Sequence, residues 1–268
     1  MPKLIYGTAW KAERTSELVE RAVLAGFRGI DTACQPKHYN EAGVGDALER
    51  LGKKGVARDA LFLQTKFTSI DGQDPNRLPY DRAAPLEKQV EQSFAASLKN
   101  LRTDRLDSWV LHSPLRTFDQ TMTAWRAMER LQQAGGTRWL GISNCYDLAF
   151  LKELHQAARV KPAVVQNRFY EDTGYDAALR RWCKEGGLRY QSFWTLTGNP
   201  QILRHPALQA VAAGLGKTPA QIWFRFLVEQ DVVPLTGTCS DRHMTEDLEA
   251  LTFELPRESV AALARLLD

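Results

Sequence analysis

The chain has 268 residues, with 35 Lys and Arg against 32 Asp and Glu, so its formal net charge is +3. This excess is too small for a nucleic-acid-binding surface, and no run of about 18 apolar residues is present to cross a membrane. Four scattered cysteines form no CxxC pair, and the first residues contain no apolar segment of signal-peptide length. We therefore expect a cytoplasmic protein without a bound metal, folded as a single domain over residues 1–268.

Short apolar runs alternate with longer amphipathic runs along the chain. Eight short runs have the length and the β-branched or aromatic content of buried strands: residues 4–9, 27–33, 61–67, 106–114, 137–144, 163–169, 188–194 and 231–237. The stretches between them repeat apolar residues about every 3.6 positions, as amphipathic helices do. This alternation predicts an α/β protein with a (β/α)8 TIM barrel. A doubly wound Rossmann sheet is the alternative, but no GxGxxG follows the first strand.

Chemically active side chains stand at the ends of successive predicted strands. Asp31 ends the second strand, Lys66 the third and His112 the fourth, and Tyr39 lies in the loop after the second. Because the carboxyl ends of barrel strands meet at one mouth, we expect these four residues to lie together. An ammonium lowers the pKa of a phenol below its usual value of about 10, and a carboxylate holds the ammonium in place. With an imidazole to orient a carbonyl group, the set is suited to donating a proton to that carbonyl.

These residues lie within segments that resemble the aldo-keto reductase superfamily, from about Ile5 to Leu255. The matching segments, in chain order, are GTAW (7–10), IDTA (30–33), HYNEAGVGDAL (38–48), LQTKF (63–67), LHSP (111–114), GISN (141–144), VVQN (164–167) and GTCSDRHMTEDL (237–248). The resemblance implies a (β/α)8 barrel and an NAD(P)H-dependent reduction of aldehydes and ketones to alcohols, with Tyr39 as the proton donor. It also implies a small carbonyl substrate. A monomer is the default expectation, because the sequence shows no evident apolar stripe for an interface.

The resemblance assigns roles to individual residues. The catalytic residues are Asp31, Tyr39, Lys66 and His112. The residues that hold the nicotinamide end of the cofactor are Ser143, Asn144, Gln166 and Phe193, the last at a position where the family usually has Tyr. The residues that line the substrate pocket are Trp10, Phe67 and Trp194. Tyr39 follows Asp31 by eight residues, where the family usually has five, so the loop is lengthened.

The cofactor's phosphate side departs from the family pattern. The family binds the 2′-phosphate after the last strand with a Lys, a Ser or Thr and an Arg, and here Gly237 and His243 stand at the Lys and Arg positions. Thr238 stands at the Ser or Thr position, and Asp247 stands where the family contacts the adenine. Arg242 could reach the phosphate if the loop turns it inward. We expect NADP(H) to be preferred, with NAD(H) as a possible alternative because one cation is lost and the other is a histidine.

Two further expectations concern the ends and loops of the barrel. The first strand starts near Leu4, which leaves no room for the N-terminal hairpin that closes the bottom of many relatives and predicts a less covered bottom. The long connection over residues 68–85 follows the strand that ends in Lys66, so we expect it to border the mouth.

Three other functions are compatible with parts of this pattern. A non-catalytic partner protein that binds the cofactor would not need all four catalytic groups. A reductase of steroid double bonds would carry a Glu in place of His112. An unrelated barrel lyase or hydrolase would need paired carboxylates or a metal cluster at the mouth, and the sequence offers neither.

Overall fold

Eight parallel strands close into a barrel in chain order in the computed structural model, which describes residues 1–267. The strands are β1 Ile5–Gly7, β2 Gly29–Asp31, β3 Phe62–Phe67, β4 Leu106–Leu111, β5 Thr137–Ser143, β6 Val164–Arg168, β7 Arg189–Phe193 and β8 Val232–Thr236. The first strand pairs with both β2 and β8, which closes the sheet. The predicted (β/α)8 barrel is confirmed.

Helices cover the outside of this barrel. Those that follow the first six strands are α1 Thr15–Ala25, α2 Glu41–Lys53, α3 Leu86–Leu101, α4 Phe118–Gln133, α5 Leu148–Ala157 and α6 Ala177–Glu185. Three lie between β7 and β8: α7 Pro200–Leu203, α8 Pro206–Leu215 and α9 Pro219–Glu229. Two follow β8: α10 Asp241–Glu249 and α11 Arg257–Ala264. None of the helices described within residues 1–267 is long and apolar enough to cross a membrane.

The alternation of side chains along β3 decides which of its residues reach the barrel interior. Successive side chains of a strand point to opposite faces. Gln64 and Lys66 lie inside the barrel, where both bond to Asp31. Thr65 points outward and donates a hydrogen bond of 2.5 Å to Glu41 at the start of α2. The same strand therefore supplies polar groups both to the interior and to the helix layer.

The bottom of the barrel is covered by side chains. Ile5, Phe62 and Val233 are buried there, and Met1 and Trp139 pack against them. The Arg138 guanidinium lies 4.7 Å from the centre of the Trp139 ring. No strand precedes β1 among residues 1–4, as predicted, and these side chains fill the bottom of the barrel.

Candidate active site

A buried ion pair forms the base of the site at the carboxyl ends of β2 and β3. Asp31 and Lys66 are 2% and 1% exposed, and Lys66 Nζ donates to Asp31 Oδ2 at 2.5 Å. The ammonium also donates to the Thr32 carbonyl oxygen at 2.8 Å. Burial lowers the pKa of Lys66, and the charge of Asp31 opposes this effect. The sequence prediction that these two residues meet is confirmed.

Tyr39 lies above this pair, beside His112. Lys66 Nζ is 5.3 Å from the centre of the Tyr39 ring, and the ring centres of Tyr39 and His112 are 6.0 Å apart in an edge-on arrangement. Burial raises the pKa of Tyr39 above its usual value, and the charge of Asp31 adds to the rise. The expected net lowering of the Tyr39 pKa is therefore wrong for this structure, because desolvation and the charge of Asp31 outweigh the attraction between the Lys66 ammonium and a phenolate. Tyr39 is consequently a protonated phenol, which is the form that a proton donor needs.

His112 is held by a neighbour on each side. Its Nδ1 lies 2.6 Å from Thr68 Oγ1, and its carbonyl oxygen accepts a hydrogen bond of 2.9 Å from Asn144 Nδ2. Burial lowers the pKa of His112 to about 3, and the charge of Lys66 adds to this effect. The imidazole is therefore neutral near pH 7. When the Thr68 hydroxyl donates to Nδ1, the ring proton lies on Nε2, which can then donate to a ligand.

Two glutamine amides hold the Asp31 carboxylate from inside the barrel, and a third glutamine joins them to each other. Gln64 and Gln166 each donate from Nε2 to Asp31 Oδ1, at 2.7 and 3.0 Å, and each donates to Gln191 Oε1 as well. Gln191 returns a bond of 3.1 Å to Gln64 Oε1. Sequence reasoning missed Gln64 and Gln191, although Gln64 is two residues before Lys66 and must share its face of the strand.

A cavity of about 1020 Å³ opens above Asp31, Tyr39 and His112. The sequence-predicted residues that line it, besides these three, are Trp10, Ser143, Asn144, Gln166, Phe193, Trp194, Thr238, Arg242, His243 and Asp247. Trp10 and Trp194 are 69% and 49% exposed, so their rings form much of the open rim. We call the group of Asp31, Tyr39, Lys66 and His112 the catalytic floor.

Phe67 does not line this cavity. It is fully buried in the hydrophobic core, with its ring centre 5.9 Å from that of Tyr80. The substrate role expected for Phe67 is wrong because Lys66 faces inward, and its neighbour must then face the helix layer.

None of residues 68–85, all within the part of the chain that the structure describes, lines the cavity. This loop packs behind the cavity: Tyr80 donates to the Thr68 carbonyl oxygen at 2.9 Å, and the Thr68 hydroxyl contacts His112.

The loop after β8 meets a lysine that the sequence analysis did not identify. Lys11, from the loop after β1, donates to the Gly237 carbonyl oxygen, and its Nζ lies 3.5 Å from Cys239 Sγ. A Cβ atom at position 237 would lie 3.4 Å from Lys11 Nζ. The Lys11 ammonium thus occupies space next to the position where the sequence lacks the expected lysine. We call Lys11 together with residues 237–247 the β8 rim.

Arg242 and Asp247 are both engaged by neighbours in the β8 rim. Arg242 is not turned inward as the sequence analysis considered, because its Nε donates to Glu246 at 2.7 Å and its side chain is 76% exposed. Asp247 is buried and accepts a hydrogen bond of 2.7 Å from the Thr236 hydroxyl. Burial raises the pKa of Asp247 to about 6. Thr238 Oγ1 accepts from the Ser240 N–H at 3.1 Å, at the start of α10.

Comparisons with known proteins agree with this geometry. A model described as the Aldo/keto reductase family matches residues 3–172. Glyoxal reductase of Bacillus subtilis (strain 168) is 30% identical over 245 residues, which cover 91% of this chain and 80% of that protein.

Two solved structures are similar over the whole fold. An aldo/keto reductase from Brucella melitensis is 27% identical, with a TM-score of 0.83, and the match covers 100% of this chain and 95% of that chain. An aldo-keto reductase of the silkworm Bombyx mori, complexed with NADPH, is 24% identical with a TM-score of 0.81. That match covers 99% of this chain and 84% of the silkworm chain.

Proposed function

Because this chain belongs to the aldo/keto reductase family, we propose that it reduces small aldehydes and ketones to alcohols, with NADPH as the hydride donor. The observation that carries the proposal is the catalytic floor: a protonated Tyr39 and a neutral His112 stand over the buried Asp31–Lys66 pair, at the base of one cavity. The similarity to a glyoxal reductase supports a small carbonyl substrate, and the similar silkworm enzyme, complexed with NADPH, supports the cofactor.

The residues that line the cavity fit such a cofactor. Gln166 uses its amide nitrogen for Asp31 and Gln191, which leaves its Oε1 to accept an N–H from a carboxamide. The nicotinamide end would be held by Ser143, Asn144, Gln166 and the Phe193 ring. The phosphate and adenine side would be held by Lys11, Thr238, His243 and Asp247, and Arg242 would reach the phosphate on leaving Glu246. When bound, the cofactor supplies a hydride to the carbonyl carbon.

The residues of the catalytic floor supply the other half of the reduction. His112 donates from Nε2 to the carbonyl oxygen and orients it, and the Tyr39 hydroxyl gives its proton to the same oxygen. Lys66, 5.3 Å from the Tyr39 ring centre, stabilises the phenolate that remains. Asp31, fixed by Gln64 and Gln166, keeps the ammonium in place. The surrounding burial limits water at this point and strengthens each electrostatic interaction.

Two measurements on the same protein test this proposal. We expect loss of nicotinamide absorbance when glyoxal and NADPH are added together, with the matching alcohol as product. Quenching of tryptophan fluorescence by NADPH, without aldehyde, reports cofactor binding separately. If the protein binds NADPH but turns over no member of a panel of aldehydes and ketones, it is a cofactor-binding partner protein and the reductase proposal is wrong.

A further inference from the structure

Arg168 stands inside the mouth of the barrel, above the catalytic floor. It is the last residue of β6, and its side chain lines the cavity. Because side chains two apart on a strand share a face, Arg168 stands on the same inner face as Gln166, one step closer to the opening. Asn167, between them, faces outward and donates to Asp176 at 2.7 Å.

The guanidinium of Arg168 stacks on aromatic rings. Its central carbon lies 3.9 Å from the centre of the Trp194 ring and 5.3 Å from that of Tyr170. Stacking of this kind fixes the plane of the guanidinium and leaves its edges, which carry the N–H groups, free to bind a planar anion. The ring of Trp194 is itself part of the cavity wall. The substrate space is therefore bordered by an oriented cation.

No carboxylate neutralises this cation among residues 1–267. Its Nε is buried and has no hydrogen-bond partner in the described part of the chain. Lys66, below the cavity, is paired with Asp31, and Arg242, at the β8 rim, is paired with Glu246. Lys11, also at the β8 rim, donates to the Gly237 carbonyl oxygen. A partly buried cation without a counter-ion is costly, and an anion that enters the cavity would relieve that cost.

We propose that Arg168 binds a carboxylate of the substrate, so that the enzyme favours oxo acids, carbonyl compounds that carry a carboxylate, over neutral aldehydes. A carboxylate matches the planar edge of a guanidinium and can accept two parallel N–H bonds from it. Arg168 then determines substrate preference, because a carboxylate bound to it holds the carbonyl group of the same molecule over Tyr39 and His112. This inference rests on the reductase function proposed above.

Matched pairs of aldehydes test the proposal. Succinic semialdehyde and butanal both have four carbons, and glyoxylate and acetaldehyde both have two, so each pair differs by a carboxylate in place of a methyl group. We expect Arg168→Gln to lower the ratio of acid to neutral kcat/KM by about 10- to 100-fold, the range of a hydrogen bond to a charged group. Arg168→Lys keeps the charge without the planar edge and should recover part of the ratio.

Arg138→Gln is the matched control. Arg138 also stacks on a tryptophan, Trp139, at 4.7 Å, but it lies at the bottom of the barrel. It should leave both ratios unchanged. Calorimetric titration with succinate, which cannot be reduced as an aldehyde, should show binding to the wild-type protein that Arg168→Gln weakens.

The outcomes separate this inference from the reductase proposal. If Arg168→Gln still reduces butanal and its ratio of acid to neutral kcat/KM equals that of wild type, the carboxylate site is wrong and the reductase function stands. The same unchanged ratio with weakened NADPH binding would assign Arg168 to the cofactor and likewise overturn the inference. Succinate binding that depends on Arg168, in a protein that reduces no aldehyde, would retain the anion site and reject the reductase function.

Discussion

The catalytic floor and the β8 rim lie at the same end of the barrel but are built in different ways. In the floor, Asp31 and Lys66 are almost fully buried, and each of their charged atoms bonds to a side chain on a strand. In the rim, Lys11 and Arg242 reach their partners with long side chains from loops and a helix surface. Buried polar groups must be paired, whereas exposed charges are screened by solvent. Substitutions in the floor should therefore have large effects, and those in the rim smaller ones.

Tyr39→Phe should have the largest effect. Removal of the hydroxyl takes away the proposed proton donor, and general acid–base catalysis contributes about 10²- to 10⁴-fold to a rate. We expect kcat for aldehyde reduction to fall by that factor, measured by steady-state loss of NADPH absorbance. The NADPH dissociation constant and the melting temperature serve as controls and should remain close to wild type. A variant that keeps more than about a tenth of kcat would show that another group donates the proton.

Lys66→Met should destabilise the fold strongly. It leaves the Asp31 carboxylate buried without its ammonium, and removal of one partner of a buried pair costs about 3–5 kcal/mol of unfolding free energy. Urea unfolding at pH 7 measures the loss, and addition of Asp31→Asn to the same variant should recover part of it. The control is Lys184→Met, which breaks an exposed 2.8 Å pair with Asp231. Surface pairs of that kind contribute about 1 kcal/mol or less, so equal losses in the two variants would contradict the difference in burial.

Asp247 is the buried carboxylate of the β8 rim, and its contribution to stability should depend on pH. Its pKa is raised to about 6 in the folded protein, against about 3.9 for an ordinary aspartate. The folded state thus binds the proton of Asp247 more tightly than the unfolded state does. Protonation therefore stabilises the fold: this contribution is complete below about pH 4 and is lost as pH rises through about 6.

Asp247→Asn should remove the cost of burying the charge. At pH 7.5 we expect the unfolding free energy of the variant to exceed that of wild type by about 1–2 kcal/mol. This value is smaller than the full pKa shift would give, because residual solvent screens the charge. Near pH 4 the advantage should disappear. Asp241→Asn is the control, because Asp241 is 71% exposed on the same helix and should give no gain. An advantage for Asp247→Asn of equal size at both pH values would exclude titration of this carboxyl as the cause.

The sequence predicts the catalytic floor better than the β8 rim for a physical reason. The eight strands are short apolar runs, and closure of the barrel must bring Asp31, Lys66 and His112 to one mouth. The strand ends alone do not locate Gln64 or Phe67, because the alternation of side chains along β3 decides that Gln64 faces the interior and Phe67 the helix layer. Both follow once Lys66 is set facing inward.

Lys11 could not be found in that way. Its contact with Gly237 joins two loops 226 residues apart in the chain, and the loops adjoin only because β1 pairs with β8. No periodicity specifies where a flexible side chain on a loop ends. The pattern after β8 shows only that a cation is missing, and the compensating residue becomes visible only in the folded barrel.

Lys11→Met should have the smallest effect and tests whether the lysine replaces that cation. Since the ammonium is partly exposed, we expect it to contribute more than an ordinary surface pair and less than a buried one. The NADPH dissociation constant should rise about fivefold, whereas that of NADH, which lacks the 2′-phosphate, should change less. Quenching of tryptophan fluorescence measures both, because Trp10 and Trp194 line the cavity.

Lys37→Met is the matched control for this last substitution. Lys37 is exposed on the loop after β2, so its removal changes the net charge equally without touching Gly237. It should leave both dissociation constants unchanged, and added salt should shrink the effect of Lys11→Met because the interaction is open to screening. If Lys11→Met weakens the binding of NADPH and NADH equally, the ammonium contacts the diphosphate that both cofactors share. No change with either cofactor would remove Lys11 from the binding site and leave the β8 rim without a replacement for the missing lysine.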